Sequence, residues 1–117
     1  MTDLTNLRIF VCTAPIRMNL SFDRLMGVAQ EVFDQDPLSG HLFLFFNRQR
    51  DRIKILFWDG DGYVIYYKLL SRGSFEFPEP TDPDSPRAQI RSSELSMLLD
   101  GIELKGRKRR PRYERPT

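Results

Sequence analysis

The stretch "RIKILFWDGDGYVIYYKLL", residues 52–70, decides the fold. Along "RIKILFW", Ile53, Ile55 and Phe57 point one way while Lys54, Leu56 and Trp58 point the other, the two-residue period of a strand. "YVIYYKLL", residues 63–70, is a second run of β-branched and aromatic residues. Between them stands Asp59-Gly60-Asp61-Gly62. An Asp-Gly pair suits the positive φ angles of a hairpin turn, so the chain is expected to reverse here. Two carboxylates one residue apart could also hold Mg²⁺ in a nuclease. Successive strand residues diverge, however, and glycines on either side imply a tight turn. In a calcium loop the next acidic residue and the glycine would stand where Tyr63 and Val64 are. The turn reading is therefore preferred to a metal or catalytic one.

Working outward, "HLFLFFN" at residues 41–47 is a nearly continuous apolar run, as expected of a strand covered on both faces. "SFEF" at 74–77 reads as a short further strand. The connections "NRQRDR", "DGDG" and "SRGS" are each short enough for a hairpin, which predicts an antiparallel meander. "LRIFVCT" at 7–13 is one more strand, expected in the same sheet, and Pro15 breaks the chain after it. Phe22, Leu25, Met26, Ala29, Val32 and Phe33 recur at helical spacing. Ser21 is placed as a cap, Gly27 weakens the pattern slightly, and Asp36-Pro37 lies beyond the end. Residues 78–91 contain four prolines and read as irregular. "SSELSMLLDGIEL", residues 92–104, predicts a second helix with Leu95, Leu98, Leu99 and Ile102 as its apolar stripe. Ser92 or Ser93 would cap it and Gly101 would stop it. The expected fold is α+β: an antiparallel sheet of about five strands with two helices packed on one face. Residues 1–104 form a single domain in this reading, and 105–117 a flexible basic tail.

A chain of 117 residues, 40% hydrophobic and 12% aromatic, suits one small domain with a real core and excludes a disordered class. Cys12 has no second cysteine to pair with, which fits a reducing, cytoplasmic setting. No apolar run reaches the roughly 20 residues of a membrane helix, and "MTDLTNLRIF" lacks the features of a signal peptide. The net charge of +2 hides an asymmetry. Residues 105–117 carry Lys105, Arg107, Lys108, Arg109, Arg110, Arg112 and Arg115 against Glu114, a net of +6, so the remainder stands at −4. Such tails commonly meet nucleic acid.

Four constellations have a chemical reading and a plainer one. Arg48, Arg50, Arg52 and Lys54 surround one tight connection. A basic hairpin tip can grip phosphate oxygens, whereas the plainer reading is a solvated turn with Asp51 pairing locally. The tail can neutralise several phosphates without reading sequence, or merely solubilise the chain; Tyr113 is a single potential stacking residue. Trp58, Tyr63, Tyr66 and Tyr67 could form a stacking platform or a partner interface, or pack as core; an uncovered apolar face would mark a dimer. His41 and Cys12 are a dyad only if the fold joins them. His41 reads more simply as capping a strand start beside Gly40, and Cys12 as a small core residue. With no second histidine, no Cys-x-x-Cys and no Gly-rich phosphate loop, neither metal nor cofactor is expected.

Taken in order, "DPLSGHLF", "RDRIKIL", "WDGDG" and "ELSMLLDGI" resemble a bacterial mobile-element family over roughly residues 5–104. This is the TnpB-type accessory protein, product of the second open reading frame, in insertion sequences of the sixty-six family. The resemblance implies a helper in DNA transposition, encoded beside a separate transposase, with no established catalytic activity. Relatives usually carry an acidic–Met–Arg–Lys-type stretch before the first helix. Here Arg17-Met18-Asn19-Leu20 replaces it, so any contact made by that basic pair would be lost. The expectation is a non-enzymatic accessory factor that meets DNA phosphates, the transposase of the same element, or a second copy of itself. The alternative is a pure protein–protein adaptor for the transposase, separable from the first by salt-dependent DNA binding.

Overall fold

The protein is described by a computed structural model covering residues 7–76, 82 and 84–100. Five strands, β1 (Ile9–Cys12), β2 (Leu42–Phe46), β3 (Arg52–Trp58), β4 (Tyr63–Leu69) and β5 (Arg87–Ile90), form one sheet in the order β4-β3-β2-β1-β5. Helix α1 (Phe22–Phe33) lies between β1 and β2, and α2 (Ser92–Asp100) follows β5. The α+β class and the hairpins β2–β3 and β3–β4 agree with the sequence reading.

The sheet is mixed rather than purely antiparallel. β1 runs parallel to β2, with Ile9 opposite Leu42 and Val11 opposite Leu44. A parallel neighbour requires a long crossover, and the connection carrying α1 supplies it. The fifth strand is not "SFEF". Residues 74–76 form no strand; instead Phe75 is buried in the core and its N–H donates to the carbonyl of Arg50 at 2.6 Å. The fifth strand is "RAQI", within the segment expected to be irregular. It pairs antiparallel with β1, turning Ala88 and Ile90 inward and leaving Arg87 and Gln89 exposed. Beyond Pro86 those four residues alternate like any half-buried edge strand.

The two helices also cover opposite faces, not one. Leu25, Ala29 and Phe33 of α1 pack on Phe10, Cys12, Phe43, Phe45 and Leu56. Leu98 of α2 packs with Phe75 on Ile9, Val11, Leu44, Phe46, Ile53 and Ile55. This explains why Phe43 to Phe46 are all buried: β2 is central and has a helix on each side. On the α1 side the aromatic rings of Phe10, Phe33, Phe43 and Phe45 meet at centroid distances of 5.6–6.3 Å, the range of favourable ring contacts.

Helix ends differ from the expected caps in detail. Ser21 occupies the N-cap position of α1, but only its carbonyl is used, accepting from Leu25 N–H at 2.9 Å. At α2 neither serine caps. The Glu94 carboxylate reaches back to the N–H of Arg91 at 3.0 Å, the reciprocal half of a capping box. Gly101, Ile102 and the tail lie outside the described residues. Among the described residues, no helix is long and apolar enough to cross a membrane.

Candidate nucleic-acid interface

The β2–β3 connection is built around Asn47. Its Oδ1 accepts from the N–H of Arg52 at 3.0 Å, and its Nδ2 donates to Asp51 Oδ1 at 2.6 Å and to Gln49 Oε1 at 3.3 Å. Its carbonyl accepts from Arg50 N–H at 3.1 Å, which lets Arg50 adopt a left-handed φ of 61°. From outside the turn, Phe75 and Leu70 donate their N–H groups to the carbonyls of Arg50 and Asp51, at 2.6 and 2.7 Å. The tip backbone is therefore fixed from within and from the 70–75 segment. On it Arg48, Arg50 and Arg52 are exposed. Asp51 accepts from the Asn47 amide, and Arg48 and Arg52 form no ion pair among the described residues.

Lys54 does not join them. It is the one buried charged side chain among the described residues, 8% exposed. Position 54 points to the α1 face of β3, beneath residues 17–20. There its Nζ donates to the Leu20 carbonyl at 2.7 Å and lies 4.8 Å from the centre of the Tyr67 ring. Nearness in sequence to the turn set Lys54 among the tip cations; the distant loop that roofs it is invisible at that range.

In its place the fold brings a cation the sequence reading did not assign to the site. Ile16 N–H donates to the Phe46 carbonyl at 2.9 Å, joining the segment after β1 to the end of β2. Together with the Lys54 bond this sets residues 15–18 alongside the tip. A groove of about 770 Å³ opens between them, with Arg17 and Met18 on one side and Asn47, Arg48 and Arg52 on the other. Arg17 is exposed. No sequence signal links it to Arg48, because the link is made by the crossover.

The four aromatics of the expected interface do not share one face. Trp58, Tyr63 and Tyr67 stand on the α1 side, where Trp58 and Tyr63 meet edge to face at 5.1 Å; adjacent Tyr66 must point to the other side. Tyr63 packs against the α1 cluster, and burial, then Asp36, pushes its hydroxyl above the ordinary tyrosine value. The Tyr67 hydroxyl takes a bond from Arg52 Nη1 at 3.1 Å. On the edge strand β4, Tyr66, Tyr67 and Leu69 are 41%, 47% and 55% exposed.

Asp59 and Asp61 occupy an exposed turn. Asp59 Oδ1 accepts from the N–H groups of Asp61 and Gly62, at 3.2 and 3.1 Å, and Gly60 has φ 112°. The Asp61 amide and then the Asp61 carboxyl hold Asp59 below the usual carboxylate value, while bonding to Asp59 and its charge raise Asp61. The carboxyls are thus near each other. Among the described residues no third histidine, cysteine or carboxylate completes a metal-binding group. The His41 ring does tie a strand start: its Nδ1 accepts from Arg8 N–H at 3.0 Å. The parallel register sets His41 beside Arg8, at the opposite end of β1 from buried Cys12, so the two form no dyad. The tail cations Lys105, Arg107, Lys108, Arg109, Arg110, Arg112 and Arg115 lie outside the described residues.

The sequence profile of a family described as "IS66 Orf2 like protein" matches residues 7–109. The chain is similar to the uncharacterized protein y4jC of Sinorhizobium fredii, 32% identical over 111 residues that cover 95% of this chain and 92% of the relative. It is also similar to the uncharacterized protein y4hO of that organism, 34% identical over 98 residues, covering 84% and 83% respectively. No solved structure matches.

Proposed function

The chain belongs to the family of IS66 Orf2 like proteins, whose part in the transposition of insertion sequences is accessory, and we propose that this member serves it by holding DNA phosphates without catalysis of its own. The observation that carries the reading is the pair Arg48 and Arg52, exposed and, among the described residues, without an ion pair, on a tip whose backbone is fixed. Fixed cations lose less freedom on meeting a polyanion than mobile ones do. Arg50 sits on the same turn, and the seven tail cations add a sequence-independent electrostatic term. The protein partner in this reading is the transposase of the same element. Its docking surface in this reading is the β4 edge, where Tyr66 and Tyr67 stand exposed on opposite faces.

The test is duplex binding by fluorescence anisotropy at two salt concentrations, followed by transposase pull-down with and without element-end DNA. Wild type should bind with a strong salt dependence. A full-length variant with the tail cations changed to glutamine should bind more weakly, and adding R48A and R52A should weaken it further. If wild type ignores duplex DNA at low salt yet captures transposase, the protein is an adaptor and the phosphate reading is wrong.

A further inference from the structure

The groove beside the tip has two walls, and only one belongs to the hairpin. We propose that it clamps a single phosphodiester backbone from both sides, with Arg17 supplying the opposite wall to Arg48 and Arg52. This rests on the phosphate reading above and specifies where and how the backbone is held.

The second wall is held in place by tertiary contacts. The Ile16–Phe46 backbone bond and the Lys54–Leu20 bond tie the chain down on both sides of Arg17, at 2.9 and 2.7 Å. The charge balance is favourable to a phosphate. Three arginines line the groove against one carboxylate, Asp51, a net of +2, and that carboxylate already accepts from Asn47 at 2.6 Å. None of the three arginines is ion-paired among the described residues. Arg17 also borders a second depression leading to Arg24, so a chain lying in the groove has a continuing track, although Asp23 stands beside it.

The lining also says what the groove does not read. Base-edge recognition needs free amides or guanidinium forks aimed into a base pair, and single-strand readers use aromatic platforms. The Asn47 amide is engaged at both its oxygen and its nitrogen, and its nitrogen bonds the Gln49 oxygen. Among the described residues no aromatic lines the groove; Pro15, Ile16 and Met18 offer apolar surface of the kind a sugar can rest on. The proposed clamp holds backbone rather than bases, so preference for an element end comes from another component.

Full-length wild type, R17A, R48A and an R91A control, with Arg91 remote from the groove, are compared on two unrelated 20-bp duplexes and one single strand, by anisotropy across a salt series. R17A should weaken binding several-fold, equally on both duplexes, and lower the slope of log K against log salt by about 1, as R48A does. R91A should stay near wild type. Thermal melts confirm that exposed Arg17 is not needed for folding. Absent wild-type binding, the phosphate reading falls and takes the clamp with it. If R48A weakens binding but R17A matches R91A, the phosphate reading stands and the two-walled clamp is wrong. Unequal losses on the two duplexes would overturn the backbone-only mode. Full affinity for the single strand with little for duplex would leave the clamp standing and fix its substrate as unpaired DNA.

Discussion

The Lys54 ammonium lies 2.7 Å from the carbonyl oxygen of Leu20, across 34 residues of sequence, and with the Ile16–Phe46 backbone bond it sets one wall of the cationic groove. The same ammonium faces the Tyr67 ring, whose hydroxyl takes a bond from Arg52 Nη1 at 3.1 Å. A single chain of contacts thus runs from the hairpin arginine to the segment carrying Arg17.

Lys54→Met keeps the apolar stem and removes the donor, leaving the Leu20 carbonyl without it. The expected loss of stability in urea unfolding is about 1–2 kcal/mol. DNA affinity should fall as well, although no exposed charge has been removed. The deciding readout is coupling: R17A should weaken DNA binding less in the Lys54→Met background than in wild type. Full additivity would mean that Lys54 serves stability alone.

Gly60 fixes the turn that opened the question of catalysis. Its φ of 112° is strained for any L residue, and a Cβ added there meets nothing within 4 Å. The cost of Gly60→Ala is therefore backbone strain alone, about 1–3 kcal/mol by chemical denaturation. Asp59→Asn should be nearly neutral in the same assay, because an amide oxygen can accept the Asp61 and Gly62 N–H groups as the carboxylate does. A large loss in Asp59→Asn would show that the charge, not the turn geometry, is what this position needs.

The parts of the fold that were legible in the sequence are those made by neighbours. The β2–β3 and β3–β4 hairpins follow from period-two runs separated by short polar turns, and Phe43 to Phe46 announce a strand covered twice. What was illegible depends on distant segments. The parallel pairing of Ile9 with Leu42 needs the α1 crossover, and Arg87 to Ile90 become a strand only because β1 has a free edge. The site divides the same way. Arg48, Arg50 and Arg52 follow from the hairpin, whereas the burial of Lys54 and the arrival of Arg17 follow from a loop folded over the sheet.

His41 gives the described domain a predictable pH response. Burial, and then the nearby Arg8 cation, hold its imidazole below the ordinary value of 6.5, and its Nδ1 must stay unprotonated to accept from Arg8 N–H. The unfolded chain takes up the proton more readily than the folded one. The resulting stability is present above about pH 6.5 and is lost as pH falls through that value toward the folded-state value. The His41 ring resonance should titrate below 6.5 by NMR. Between pH 7.5 and 5.5, wild type should lose more stability than His41→Asn, which keeps an acceptor and cannot charge. Equal losses would assign the whole pH response to carboxylates.

The two helices on opposite faces make a last prediction. Leu25 of α1 and Leu98 of α2 are both buried, but in clusters separated by the sheet. Leu25→Val and Leu98→Val should each cost about 1 kcal/mol, from lost burial and lowered helix propensity. Residues with no shared partners behave independently, so the double variant should show the sum within about 0.5 kcal/mol. Two helices lying side by side on one face would share a cavity, and the double variant would depart from additivity by more than that. Urea unfolding of the four proteins at one pH decides between the arrangements, and coupling well beyond 0.5 kcal/mol would contradict the two-sided core on which the placement of β2, and with it the hairpin tip, depends.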